Sequence, residues 1–207
     1  MAVRDRAVMW GVLLVLTTGL FAACSSSSKS KYAPSPAPSA LTSIAAQDHG
    51  GAGTKPAAKV QDLVMTASAF RNIHAWTKVR DFYVGNLLGH LPEALAVARN
   101  PKGGTYPVGT IIQLIPTEAM VKRRSGWDAA THNWEFFSLS ISGSGTRILS
   151  RGATSTVNFA QENCASCHDA AEPQFDETCD GNHGCAPLPL TPALIAGLQA
   201  RDPRPLT

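Results

Sequence analysis

The chain is short of residues that several common functions require. Its four methionines are Met1, Met9, Met65 and Met120, so none follows residue 120. No internal repeat is visible, which excludes solenoids and propellers. No basic stripe with interleaved aromatics is present, and the formal charge is only +3 with a pI near 8.7. Nucleic acid is therefore not an expected partner. The one long apolar run, Val8 to Ala23, is shorter than the ~20 residues of a membrane-spanning helix. Cysteine is sparse at five residues, but two stand three apart with a histidine directly after them.

That apolar run follows Arg4 and Arg6, and together they have the length and charge of a secretory signal. It ends in Leu20-Phe21-Ala22-Ala23-Cys24, which resembles a bacterial lipobox, with Phe21 where Leu is usual. The reading is a signal peptide over 1–23 and lipidation of Cys24, which would hold the protein on the cell envelope, facing the periplasm or the surface. An uncleaved anchor, or an ordinary signal with a stray cysteine, is the alternative. Loss of Arg4, Asp5 and Arg6 would leave a net charge of about +2. Residues 24–59 are rich in Ser, Ala, Pro and Gly, as in Pro34-Ser35-Pro36-Ala37-Pro38. Such a stretch buries too little apolar surface to offset chain entropy and reads as a flexible tether. Residues 60–207 then form one domain, long enough for a single core.

The motif itself is Cys164-Ala165-Ser166-Cys167-His168, a C-x-x-C-H run. Two thiols at this spacing can each add to one vinyl group of a haem, and the next His can ligate the iron. The residues alone also allow a reactive or paired C-x-x-C with an incidental His, or half of a zinc site. Export favours haem, because bacteria attach it covalently outside the cytoplasmic membrane, and an oxidising compartment works against a thiolate zinc site. The expected cofactor is one covalent haem c, joined to Cys164 and Cys167, with His168 as axial ligand. The common small electron-transfer class has its motif early and a Met ligand downstream, and this chain has no such Met.

Apolar residues at Leu63, Ala67, Phe70, Ile73, Trp76 and Val79 predict a helix over Leu63 to Val79. A second is expected from Asp81 towards Leu91 and a third over Pro92 to Ala98, with Pro92 suited to a first turn. Asn100-Pro101-Lys102-Gly103-Gly104 then makes a turn. Strands are predicted over Gly109 to Ile115, Ala119 to Arg124, Trp134 to Ile141 and Thr146 to Ser150, with a turn at Gly143 to Gly145. Trp134, Phe136, Ser138 and Ser140 would share one face of the longest strand, and Glu135, Phe137, Leu139 and Ile141 the other. A short helix or turn should carry the motif, and Thr191-Pro192 should open a terminal helix. Helices first and strands second make an α+β class, a mainly antiparallel sheet with flanking helices and the C-x-x-C-H motif after the last strand. A four-helix bundle, the home of another late-motif class, is excluded by those strands.

From about Thr66 to Ala170 the chain resembles the cytochrome P-460 family, which includes the β-type cytochromes c′. The residues are Trp76-Thr77-Lys78-Val79, Asn100-Pro101, Tyr106-Pro107-Val108-Gly109-Thr110-Ile111-Ile112, the strand after Trp134, and Asn163 to His168. The resemblance implies an antiparallel sheet with flanking helices, frequent homodimers, and a five-coordinate haem with an open distal side. It also implies two kinds of member. One carries a lysine cross-linked to the porphyrin and oxidises hydroxylamine or nitric oxide. The other lacks the cross-link and lines the distal pocket with apolar groups. Where the lysine is expected this chain has Gln113-Leu114, with no Lys between Thr110 and Val121. Lys122 is the nearest substitute, in a run read as a solvated strand end. Trp134, Phe136 and Phe137 are the candidate distal groups, and Glu135 is the candidate carboxylate for proton chemistry, otherwise an exposed strand Glu. A gas-binding or electron-transfer haem protein is expected, its partner a small gaseous ligand or a redox protein. The alternative is an oxidoreductase of hydroxylamine or nitric oxide.

Cys179 and Cys185 flank a short loop and, in an exported chain, are expected to form a disulfide. A zinc site would instead combine Cys164, Cys167, Cys179, Cys185 and His183. His74, His90 and His132 are candidate sixth ligands, and Arg71, Arg147 and Arg151 candidate partners of haem propionates.

Overall fold

The computed structural model describes residues 62–181 and 183–206. The signal, Cys24 and the tether lie outside the described residues.

Six strands form one antiparallel sheet in chain order: β1 (Thr77–Val79), β2 (Phe82–Asn86), β3 (Thr110–Gln113), β4 (Glu118–Lys122), β5 (Trp134–Ser142) and β6 (Gly145–Gly152). Each strand pairs with the next, as short connections demand. Alternation along the strands sends two sets of apolar side chains to opposite faces. Val79, Phe82, Val84, Ile112, Met120, Trp134 and Phe136 face one way, against the helix α1 (Leu91–Arg99) and Ala165 of the motif. Ile111, Ala119, Val121, Phe137 and Leu139 face the other way, against Met65 and Phe70. The two faces expected for the Trp134 strand are the two observed. The class is α+β with a mainly antiparallel sheet, and the motif residues follow β6 in the short helix α2 (Cys164–His168).

Two expected helices are absent. Residues 63–79 hold only 3-10 turns at Ala67–Ala69 and Ile73–Ala75 before β1. The Asn72 side chain accepts from His74 N, an Asx turn that competes with helix propagation. The expected helix from Asp81 is β2, whose run Phe82-Tyr83-Val84 is buried on both faces. A short, fully buried strand has no alternation to distinguish it from a helix segment. Gly85 on this strand lies under the Trp76 ring, and a Cβ there would overlap it. Among the described residues, two strands therefore precede the first α-helix, and the other two α-helices follow the last strand. The terminal helix α3 (Pro192–Ala200) forms as expected, with Thr191 Oγ1 accepting from Leu194 N at 3.2 Å.

Candidate functional site

One helical turn carries the motif, and three contacts hold it in place. The Asn163 side chain caps α2 by accepting from Ser166 N at 3.0 Å, and donates to Thr154 O at 2.6 Å. Cys164 N donates to Thr156 O at 3.0 Å. A helical turn puts residues three and four apart on one side, so Cys164, Cys167 and His168 project together. Cys164 packs against the sheet face bearing Ile112, Met120 and Phe136.

Both thiols are free of disulfides. Burial pushes the Cys164 thiol up to about 11, with the Glu118 carboxylate adding to it. Burial also raises Cys167, with Glu162 adding. A redox-active C-x-x-C needs the opposite, a thiol acidified by its surroundings. The surroundings of Cys164 and Cys167 supply no such acidification.

His168 Nδ1 lies 2.7 Å from Glu177 O. A carbonyl can only accept, so Nδ1 carries the proton. Burial lowers the pKa of the ring, which is neutral at pH 7 with its lone pair on Nε2. This is the arrangement of a metal-ligating histidine, whose second nitrogen is fixed by a backbone carbonyl. The Phe136 ring packs beside it, with centroids 5.1 Å apart. Two free thiols one turn apart and an imidazole with its Nε2 lone pair form a donor set that fits a covalent haem.

The Glu177 carbonyl comes from an unusual turn. Asp176 and Glu177 have φ of +49° and +61°, a left-handed pair without glycine. Each such residue costs on the order of 1–3 kcal/mol and persists only where surrounding contacts enforce it. The contacts are on Asp176. Oδ1 accepts from Lys122 Nζ at 2.5 Å, Oδ2 from Tyr106 N at 2.8 Å, and the main-chain O from Trp134 Nε1 at 2.8 Å. Just after the turn, Cys179 and Cys185 form the expected disulfide.

Other expected site residues separate by sheet face. Trp134 and Phe136 lie on the motif face, whereas Phe137 points to the opposite core, against Phe70. Phe137 is thus not a distal-pocket residue on this face. Glu135 is neither exposed nor beside the motif. It is 2% exposed and held by Arg123 at 3.0 Å and Arg151 at 2.6 Å. Alternation placed it on the far face, and Arg151 is consequently committed to Glu135 rather than to a propionate. Lys122 is not a solvated strand end, being 5% exposed and bonded to both Asp176 and His132 O. His74 has both ring nitrogens engaged, by Tyr83 OH and Gln199 O. His90 is exposed near Glu93, and His132 lies 3.5 Å from Glu177 Oε1. Arg71 stacks on Trp76, and Arg147 is exposed on β6.

The zinc set does not assemble. Cys179 and Cys185 are bonded to each other, and His183 stacks flat on Phe175 with Nδ1 on Thr178 O. Among the described residues no group of three or more His, Cys, Asp or Glu is arranged to hold a metal ion.

Sequence reasoning missed Glu118, Asp176 and Glu177. Glu118 opens β4 with its carboxyl raised by burial and its Oε1 accepting from Phe159 N at 3.0 Å. Its charge bears on Cys164, so this strand carboxylate, not Glu135, neighbours the motif. A cleft of about 410 Å³ opens at the other end of β4, lined in part by Tyr106, Val108, Lys122, His132 and Asp176. No protein-family model matches the chain, and no curated protein or solved structure matches it either.

Proposed function

We propose that this chain is an exported c-type mono-haem lipoprotein that binds small gases or passes electrons. Cys164 and Cys167 would carry the haem as thioethers, and His168 would ligate its iron through Nε2. The observation that carries this reading is the bond from His168 Nδ1 to Glu177 O, which fixes the tautomer a ligand needs. Bound there, haem would supply a redox-active iron with a site for a diatomic ligand. The chain's own contribution is orientation, with Cys164 packed on the apolar face of Ile112, Met120 and Phe136 and the His168 ring beside Phe136. An apolar distal side, as the resemblance to the cytochrome P-460 family implies for members without a cross-link, would stabilise bound dioxygen poorly and disadvantage nitric oxide and carbon monoxide less.

The late motif and the antiparallel sheet support a relationship to the cytochrome P-460 family, in its form without a cross-link. Leu114, where a cross-linking lysine is expected, packs on the motif face. Lys122 is already engaged by Asp176. Glu118 supports a second reading, a hydroxylamine or nitric oxide oxidoreductase, because a buried carboxyl beside the motif could move protons.

Purified full-length protein tests both. The expected result is one covalently bound haem per chain with an ordinary c-type spectrum, lost in Cys167→Ala. Retention of colour and stoichiometry by that variant would overturn covalent attachment. A strongly red-shifted Soret band with hydroxylamine turnover would favour the enzyme instead. Lipid on Cys24, detected by mass spectrometry and lost in Cys24→Ser, is expected on the envelope-anchored form.

A further inference from the structure

The groups that fix His168 come from parts of the chain far apart in sequence, and one buried ion pair joins them. Lys122 ends β4 and faces the side of the sheet that bears Trp134, its register partner on β5. Its side chain is 6% exposed and its ammonium meets the carboxylate of Asp176, whose side chain is 7% exposed. Asp176 stands immediately before Glu177, whose carbonyl receives the His168 Nδ1 proton. Both residues of that turn have left-handed backbone, which L-residues other than glycine leave unless held. Asp176 is held on three sides, by Lys122, by Tyr106 N and by Trp134 Nε1. The adjoining chain packs closely too. Gly104 N donates to Gln174 O at 2.7 Å, and a Cβ on Gly103 would overlap that same carbonyl.

We propose that Lys122 and Asp176 are positioning residues for the axial histidine, their buried ion pair holding the 173–178 turn so that Glu177 O accepts from His168 Nδ1. The proposal rests on the haem reading above. Neither residue touches the imidazole. They act through one peptide carbonyl, whose direction is set by the left-handed pair. A strong bond at Nδ1 makes the imidazole a better donor to iron and favours the ferric state. Loosening the turn lengthens that bond. Expected consequences are a weaker iron–histidine bond and a higher reduction potential, with the thioether attachment intact.

The test uses haem-loaded full-length protein and the ferrous iron–histidine stretching band in resonance Raman, with the reduction potential beside it. Asp176→Asn should lower the band frequency and raise the potential while keeping one covalent haem per chain. Lys122→Met/Asp176→Asn removes both charges together, leaves no unpaired buried charge, and should do the same. It carries the test if the single variant fails to fold. Asp202→Asn breaks a buried pair with Arg204 elsewhere in the domain and should leave the band unmoved. Wild-type band and potential in a folded Asp176 variant would overturn the proposal, as would an equal shift in Asp202→Asn. Wild-type protein without covalent haem would overturn the haem reading itself, a distinguishable failure.

Discussion

Glu135 gives the sharpest separation between a catalytic and a structural carboxylate. Its two oxygens receive Arg123 Nη1 at 3.0 Å and Arg151 Nε at 2.6 Å, and its side chain is 3% exposed. Replacing it with Gln keeps the shape and leaves two guanidinium groups without this partner. Removing one partner of a buried pair costs about 3–5 kcal/mol. Two features pull the value towards the lower end. Arg123 keeps Asp62 at 3.0 Å, and the Arg151 side chain is 38% exposed, where water replaces much of the interaction. The expected loss for Glu135→Gln is therefore about 2–3 kcal/mol. Urea unfolding followed by circular dichroism should show a lower midpoint at unchanged slope. Haem content and the visible spectrum should match wild type, because Glu135 lies on the sheet face opposite Cys164. A stability change under about 0.5 kcal/mol would refute the buried-network reasoning. Lost ligand binding or turnover in a fully stable variant would refute the assignment of faces.

Two further expectations follow from named contacts. Asn163→Ala removes the acceptor for Ser166 N and should destabilise α2 by about 1 kcal/mol, read as lower haem occupancy after expression at matched protein levels. Asp202 sets an acid limb. Burial alone would raise its carboxyl, but hydrogen bonds from Arg204 and Ile73 N prevail and hold it below the usual 3.8. A depressed folded pKa means stability that is present above that unfolded value and lost as pH falls through the folded one. Unfolding midpoints should therefore drop below about pH 4 in wild type and less steeply in Asp202→Asn; parallel curves would contradict the linkage.

The C-x-x-C-H motif and its short helix were legible because they are local. The spacing of Cys164, Cys167 and His168 needs only one helical turn, which Asn163 caps in the structure. Strands β3 to β6 were legible for the same reason, since their β-branched and aromatic runs are bounded by Pro116, Gly126 and Gly143. Pairing of Cys179 with Cys185 was legible from a separation of only six residues along the chain. Glu118 and Asp176 carried no such signal. What makes each matter is a neighbour across the sheet or a turn dozens of residues away.

By itself, then, the sequence determined the class of the sheet, the motif and its helix, and the alternation that divides β5 into two faces. Tertiary structure decided which face looks towards the motif, and that reversed the roles given to Glu135 and Phe137. It also decided that residues 77–86 are strands, because pairing with β3 outweighed a helical spacing of apolar residues. Above all it decided the fate of charge. Lys122 reads as a surface cation beside Arg123 and Arg124 until a carboxylate 54 residues later buries it. Hydrophobic pattern is a property of neighbours along the chain, whereas a buried ion pair exists only when distant segments meet, and the environment of His168 is of that second kind.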